Sequence, residues 1–87
     1  MTSYRIEWKR SATKELKKLP KETIPRILSS IEELSQDPRP VGVRKIVGSK
    51  HSYRNRVGNY RIIYSIVEAV FVVEIIRVGH RKDIYRK

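Results

Sequence analysis

Ser52-Tyr-Arg-Asn-Arg-Val-Gly-Asn-Tyr-Arg-Ile-Ile-Tyr-Ser-Ile-Val67 is the stretch that decides the fold. Gly58-Asn59 suits a tight hairpin loop, and the flanking segments are rich in β-branched and aromatic residues. Strands are therefore predicted over Ser52–Val57 and Tyr60–Val67, paired antiparallel. The loop length sets the register, with Val57 opposite Tyr60 and Arg56 opposite Arg61. Side chains alternate along a strand, and directly opposed residues point the same way. Arg54, Arg56 and Arg61 thus share one face of the sheet. Tyr60, Ile62, Tyr64 and Ile66 share the other, which should meet helices. Like charges placed opposite one another destabilise a sheet by a fraction of a kcal/mol. A bound anion is the natural reason to keep them, and the planar donor fork of arginine suits phosphate. The plainer alternative is an ordinary exposed face that Glu74, on a neighbouring strand, partly neutralises.

Residues 70–78 follow a turn at Glu68-Ala69 and are almost continuously apolar, which predicts a strand covered on both faces and so inside the sheet. Upstream, residues 43–47 are a candidate strand, turned back by Gly48-Ser49-Lys50. His51 reads as loop. Tyr4-Arg5-Ile6-Glu7-Trp8 alternates apolar and polar residues, the mark of a short strand. Ser11 can cap a first helix carrying Ala12, Leu16 and Leu19 on one stripe, ended by Pro20. A second helix places Ile24, Ile27, Leu28, Ile31 and Leu34 on one stripe, with Pro25 in its first turn, and stops at Asp37-Pro38-Arg39-Pro40. The short link between the helices predicts an antiparallel helical hairpin. The lysines of this region, Lys14, Lys17, Lys18 and Lys21, read as a solvated face. The expected architecture is α+β in a single domain over residues 1–87: an N-terminal strand, a two-helix hairpin, then three to four antiparallel strands in one small sheet, with the helices on one face.

Composition narrows the function. The chain has 87 residues, 20 Lys+Arg against 9 Asp+Glu, and a formal charge of +11. The excess is uneven. Residues 1–42 hold 9 basic and 6 acidic side chains, net +3, whereas residues 43–87 hold 11 basic and 3 acidic, net +8. Such a field points to a polyanion: nucleic acid, an acidic protein partner or an anionic membrane face. With no cysteine, disulfides, zinc–thiolate sites and a cysteine nucleophile are excluded, and the only histidines, His51 and His80, make a metal site improbable. No apolar run approaches the ~18 residues of a membrane helix, and the N-terminus lacks the apolar core of a secretory signal. The expected location is the cytoplasm, with no cofactor.

The C-terminal segment Arg77-Val-Gly-His-Arg-Lys-Asp-Ile-Tyr-Arg-Lys87 leaves the last strand through Gly79 and carries His80, Arg81 and Tyr85. If it folds back toward the arginine cluster, these side chains complete a plausible RNA pocket, since Arg and Tyr stack on unpaired bases and Arg binds phosphate. Alternatively, Tyr85 simply plugs the edge of the core.

Taken together, Tyr53-Arg-Asn-Arg-Val-Gly-Asn-Tyr-Arg-Ile-Ile-Tyr64 and Arg77-Val-Gly-His-Arg-Lys-Asp-Ile-Tyr85 resemble the RelE family within the RelE/ParE toxin superfamily. Ser11-Ala-Thr-Lys-Glu-Leu-Lys-Lys-Leu-Pro20 is similar to that family's first helix. The resemblance covers nearly the whole chain. It implies the toxin of a type II toxin–antitoxin pair that enters the ribosomal A-site and cuts mRNA without a metal. In that reaction the 2′-OH attacks the adjacent phosphate, leaving a 2′,3′-cyclic phosphate and a free 5′-OH. The resemblance also implies a cognate acidic antitoxin in a hetero-oligomeric complex, with the ribosome and mRNA as targets. By position, Arg61 matches an arginine that stabilises the transition-state phosphate, Arg81 a general acid or phosphate ligand, and Tyr85 a tyrosine that stacks on the substrate. Arg54 and Arg56 stand where the best-studied branch has two lysines, one of them a proposed base. Arginine stays protonated, so Arg54 is a poor proton acceptor. Either His80, whose intrinsic pKa suits the task, takes the base role, or catalysis is mainly electrostatic. Lys50 and Lys82 complete the expected phosphate-binding set of Arg54, Arg56, Arg61 and Arg81. Two other functions fit the same fold: a ParE-like gyrase inhibitor without chemistry of its own, and an RNA-binding module that does not cut.

Overall fold

A computed structural model describes residues 3–84. Its elements run β1 (Arg5–Trp8), α1 (Arg10–Lys17), α2 (Ile24–Gln36), β2 (Arg44–Lys45), β3 (Ser52–Val57), β4 (Tyr60–Val67) and β5 (Val72–His80), with a 3-10 turn at Glu68–Val70. The five strands form one sheet in the order β1-β5-β4-β3-β2. The fold is α+β. The sheet is mixed, because β1 inserts beside β5 in parallel while every other pair is antiparallel. That pairing joins the two ends of the chain and places β5 in the interior.

The β3–β4 hairpin has the predicted register throughout, from Ser52 opposite Ser65 to Val57 opposite Tyr60. Its loop needs a residue that tolerates positive φ, and Gly58 supplies it at φ 58°. Gly at the first loop position is the signature of a type II′ turn, whose twist matches that of the strands. Ile62, Tyr64 and Ile66 are buried on one face of β4. They meet Val73, Ile75 and Val78 of β5, Ala12 of α1, and Ile27, Ile31 and Leu34 of α2 in one core. The helices therefore lie on the predicted face.

β5 does not alternate evenly. Tyr64 pairs with Ile75 and Ile63 with Arg77, so Ile76 is an extra residue, a β-bulge. The bulge flips the phase of the strand. Without it Arg77 would point into the core; with it Val78 does, and Arg77 shares the outer face with Ile63. This accounts for the near-continuous apolar run as much as central placement does.

Five local expectations change. Ser11 does not cap α1: the helix begins at Arg10, Lys9 holds the extended N-cap position, and no side chain caps it. Leu19 lies past the helix end at Lys17, yet still packs against the core. β2 keeps only Arg44–Lys45 of the expected 43–47 strand, and β5 starts at Val72 rather than 70 because the 3-10 turn and Phe71, at φ 53°, occupy the corner. On α2, Thr23 takes the N-cap position and Pro25 falls in the first turn, where its missing N–H costs nothing. Leu28 stays 43% exposed, off the buried stripe.

The far end of the core is closed by a polar clamp. Buried Tyr64 donates its hydroxyl to the Pro38 carbonyl at 2.6 Å and stacks on Tyr53. Arg39 lies over the Tyr53 ring, donates to its hydroxyl and bridges to Glu68, which also accepts from the Tyr4 hydroxyl. The segment after α2 is thereby fastened to both β3 and the β4–β5 corner. Hydrogen bonds from Arg39 and Tyr4 hold the Glu68 carboxyl below its ordinary range, and burial pushes the Tyr64 phenol well above its own.

Candidate functional site

The outer face of the sheet, away from the helices, carries the arginines in two cross-strand rows. Arg44, Arg54, Ile63 and Arg77 are successive partners across β2, β3, β4 and β5. Arg56, Arg61 and Gly79 form the next row. A hollow of about 710 Å³ opens beside them, lined by Val41, Gly42, Arg44, Arg54, Asn55, Arg56, Gly58 and Arg61. Four guanidinium groups thus surround one concavity. The Arg61 Nη1 donates to the carbonyls of Gly58 and Tyr60, at 3.1 and 2.9 Å. The hairpin tip that sets the register therefore also orients this side chain.

Arg44 was missed by the sequence reading. Alternation alone marks it as polar within a short strand; only the pairing of Arg44 with Arg54 brings it to the cluster. Glu74 does not line the hollow. It sits in the row of Glu7 and Ser65, one row beyond that of Arg54, Ile63 and Arg77.

The remaining candidates divide. Arg81 is exposed in the turn after β5, and its backbone N–H donates to the Asn59 carbonyl at 2.8 Å, which brings it beside the hairpin tip. Lys82 is exposed in the same turn. Gly79 lies inside β5 rather than at its exit, and the turn folds back over it: Ile84 Cδ1 would lie 3.4 Å from a Cβ at that position. His80 pairs with Tyr60 on the helix-side face and packs edge-on against its ring, centroids 5.5 Å apart. Its Nδ1 accepts the Lys82 backbone N–H at 3.1 Å, so a neutral imidazole carries its proton on Nε2. His80 is not gathered with Arg54, Arg56 and Arg61. Lys50 precedes β3 at the end remote from Gly58 and does not line the hollow. Tyr85 lies outside the described residues.

No helix among the described residues is long and apolar enough to cross a membrane. Among them, no group of three or more His, Cys, Asp or Glu side chains is placed to hold a metal ion. The arrangement can bind an anion with several forked donors at once, and none of the clustered side chains can accept a proton.

Comparison with known proteins places this geometry. Residues 6–85 match the family described as the ParE toxin of the type II toxin–antitoxin system parDE. The chain is 37% identical to toxin RelG of Mycobacterium tuberculosis, an alignment covering 97% of this chain and 98% of RelG. Its fold superposes on the archaeal RelE–RelB complex from Pyrococcus horikoshii with a TM-score of 0.81 and 33% identity, over 95% of this chain and 99% of the other. The RelBE2 toxin–antitoxin complex of M. tuberculosis gives a TM-score of 0.84 at 28% identity, over 95% and 97%. The model that matches is named for ParE while these relatives are named for RelE, and together they establish that the chain belongs to the RelE/ParE superfamily of type II toxin–antitoxin toxins.

Proposed function

We propose that this toxin is a ribosome-dependent mRNA endoribonuclease of the RelE type, which cuts within the A-site codon and stops translation. One observation carries the reading: Arg44, Arg54, Arg56 and Arg61 line a single hollow on the outer sheet face. Cleavage begins when the substrate's own 2′-OH attacks the adjacent phosphorus. The P–O5′ bond breaks, the 2′-OH proton leaves, the 5′ oxygen gains one, and a 2′,3′-cyclic phosphate remains. No redox step or external nucleophile is involved. The crowded phosphorane carries extra negative charge, and fixed guanidinium groups around it are stabilising in the transition state. Arg61, held by two carbonyls, and Arg54 and Arg56 act on that charge. Arg81, anchored beside the hairpin tip, approaches the leaving oxygen, and Tyr85 stacks on the neighbouring base.

Catalysis here is chiefly electrostatic. The clustered arginines do not take up a proton, and His80 faces the other side of the sheet with Nδ1 already accepting. The 2′-OH proton therefore passes to solvent or to a ribosomal group. The partner is an acidic antitoxin that covers the +8 half of the chain in a hetero-oligomer, and the site of action is the cytoplasm. RelE–RelB complexes among the structural neighbours support that partnership.

The ParE name of the matching family favours a second reading, inhibition of DNA gyrase without chemistry. Incubating mRNA with the toxin, with and without programmed ribosomes, tests the choice. Cuts that need the ribosome support the nuclease. Intact mRNA, with a DNA-damage response on induction in cells, supports the gyrase inhibitor. Binding to mRNA without cuts or such a response supports a non-cleaving module.

A further inference from the structure

Among the described residues, β5 has no strand beside it on the β1 side beyond Trp8: β1 ends opposite Ile75. The backbone N–H of Val78 still needs an acceptor. Glu15 of α1 supplies it. Its Oε1 accepts the Val78 N–H at 3.0 Å, so a carboxylate stands in for the carbonyl of an absent strand. Its Oε2 accepts from Arg77 Nη2 at 3.1 Å and Nε at 3.3 Å. Arg77 reaches onward, and its Nη1 donates to the Ile84 carbonyl at 2.6 Å. The turn it grips is closed by the Asp83 and Ile84 N–H groups on the His80 carbonyl, at 2.8 and 3.0 Å, and by the Arg81 N–H on Asn59. Ile84 is 3% exposed and seats over Gly79, its Cδ1 3.4 Å from where a Cβ would stand.

Arg77 occupies the same cross-strand row as Arg54, and by charge alone it would pass for one more phosphate contact. Its fork is committed elsewhere, with one side on Glu15 and the other on the chain that carries Arg81. We infer that Glu15 and Arg77 are positioning residues, a relay from α1 through β5 that fixes the 80–84 turn, and with it Arg81, against the Arg54–Arg56–Arg61 cluster. The inference rests on the nuclease reading for its effect on rate, but not for its effect on the turn.

The sign of one substitution separates positioning from charge. Glu15→Gln removes the negative charge that offsets Arg77 in a basic protein, so electrostatics alone predicts tighter RNA binding and equal or faster cutting. Gln can still accept the Val78 N–H, which keeps the edge of β5 intact, but its amide offers Arg77 no carboxylate. Misplacement of a reacting group by about 1 Å can cost on the order of 100-fold. The relay therefore predicts that Glu15→Gln lowers the saturating rate of ribosome-bound mRNA cleavage at least tenfold, with half-saturation unchanged or lower. Arg77→Lys, which keeps the charge without the fork, should fail to restore the rate. Amide exchange at Asp83 and Ile84 in the free toxin should quicken at least tenfold in both variants. Wild-type cutting by Glu15→Gln, or full activity of Arg77→Lys, overturns the catalytic consequence. Unchanged exchange overturns the relay itself. A wild-type toxin that never cuts mRNA refutes the nuclease reading instead, and the exchange comparison still decides whether the relay holds the turn.

Discussion

Truncating Arg61 takes a guanidinium from the lining of the hollow while leaving its strand pairing with Arg56 in place. Removal of one preorganised donor from a developing oxyanion typically costs 10²–10³ in rate. Arg61→Ala should lose about that much cleavage with little change in thermal stability, as measured by single-turnover cutting beside a melting curve. His80→Gln should retain most activity in the same assay, because the glutamine carbonyl can still accept the Lys82 N–H and the ring it replaces faces Tyr60, not the arginines. A large loss would restore histidine as acid or base. Tyr64→Phe tests the core rather than the site. It strands the Pro38 carbonyl and should cost about 1–3 kcal/mol of stability, read by urea denaturation. Burial raises the Tyr64 pKa, so the folded state favours the neutral phenol. The stability this contributes is complete below the unfolded tyrosine pKa of ~10 and declines as pH rises above it. Alkaline destabilisation should therefore be weaker in Tyr64→Phe than in wild type.

Among the elements, the β3–β4 hairpin is legible in the sequence because a short loop leaves only one register. Val57/Tyr60 and Arg56/Arg61 pair as the residue pattern demands. The bulge at Ile76 was not readable. It lies in an apolar run where no alternation betrays a change of phase, and its consequence, turning Arg77 outward, appears only against β4. Nor could local patterning show that β1 docks parallel to β5, a pairing between distant parts of the chain, or that Glu15 caps the strand edge this pairing leaves bare. Arg44 escaped for a related reason, since the register of so short a strand depends on its partner. The hairpin tip itself can be tested. Gly58 has a positive φ, and a Cβ there would meet Arg26 Nη2 at 3.2 Å. Gly58→Ala should destabilise by about 1 kcal/mol or more, and should lower cleavage as well, because the Gly58 carbonyl holds Arg61. The polar clamp at the opposite end makes its own forecast. The Glu68 pKa is depressed, so the stability it contributes is present above the unfolded carboxyl pKa and is lost as pH falls through the lower folded value. Acid unfolding followed from pH 6 to 2 should begin at higher pH for Arg39→Ala than for wild type.

At the level of the whole molecule, charge and chemistry are segregated. Helices and core occupy one side of the sheet; the arginine rows occupy the other, in the half of the chain with net +8. Affinity for single-stranded RNA should fall steeply with salt. If three phosphates are neutralised, the slope of log affinity against log salt is about −2, and removing one arginine should flatten it by roughly 0.7. If the antitoxin is acidic, as proposed above, the same field should draw it, and its binding should compete with RNA and weaken similarly in high salt.

The most direct test concerns the ends of the cut RNA. Message bound to programmed ribosomes is treated with wild-type toxin or Arg61→Ala, and the fragment termini are identified. The account predicts cleavage inside the A-site codon by wild type, with a 2′,3′-cyclic phosphate upstream and a 5′-OH downstream, and at least a 100-fold loss with Arg61→Ala. Fragments ending in a 5′-phosphate, or equal cutting by both proteins, would contradict it.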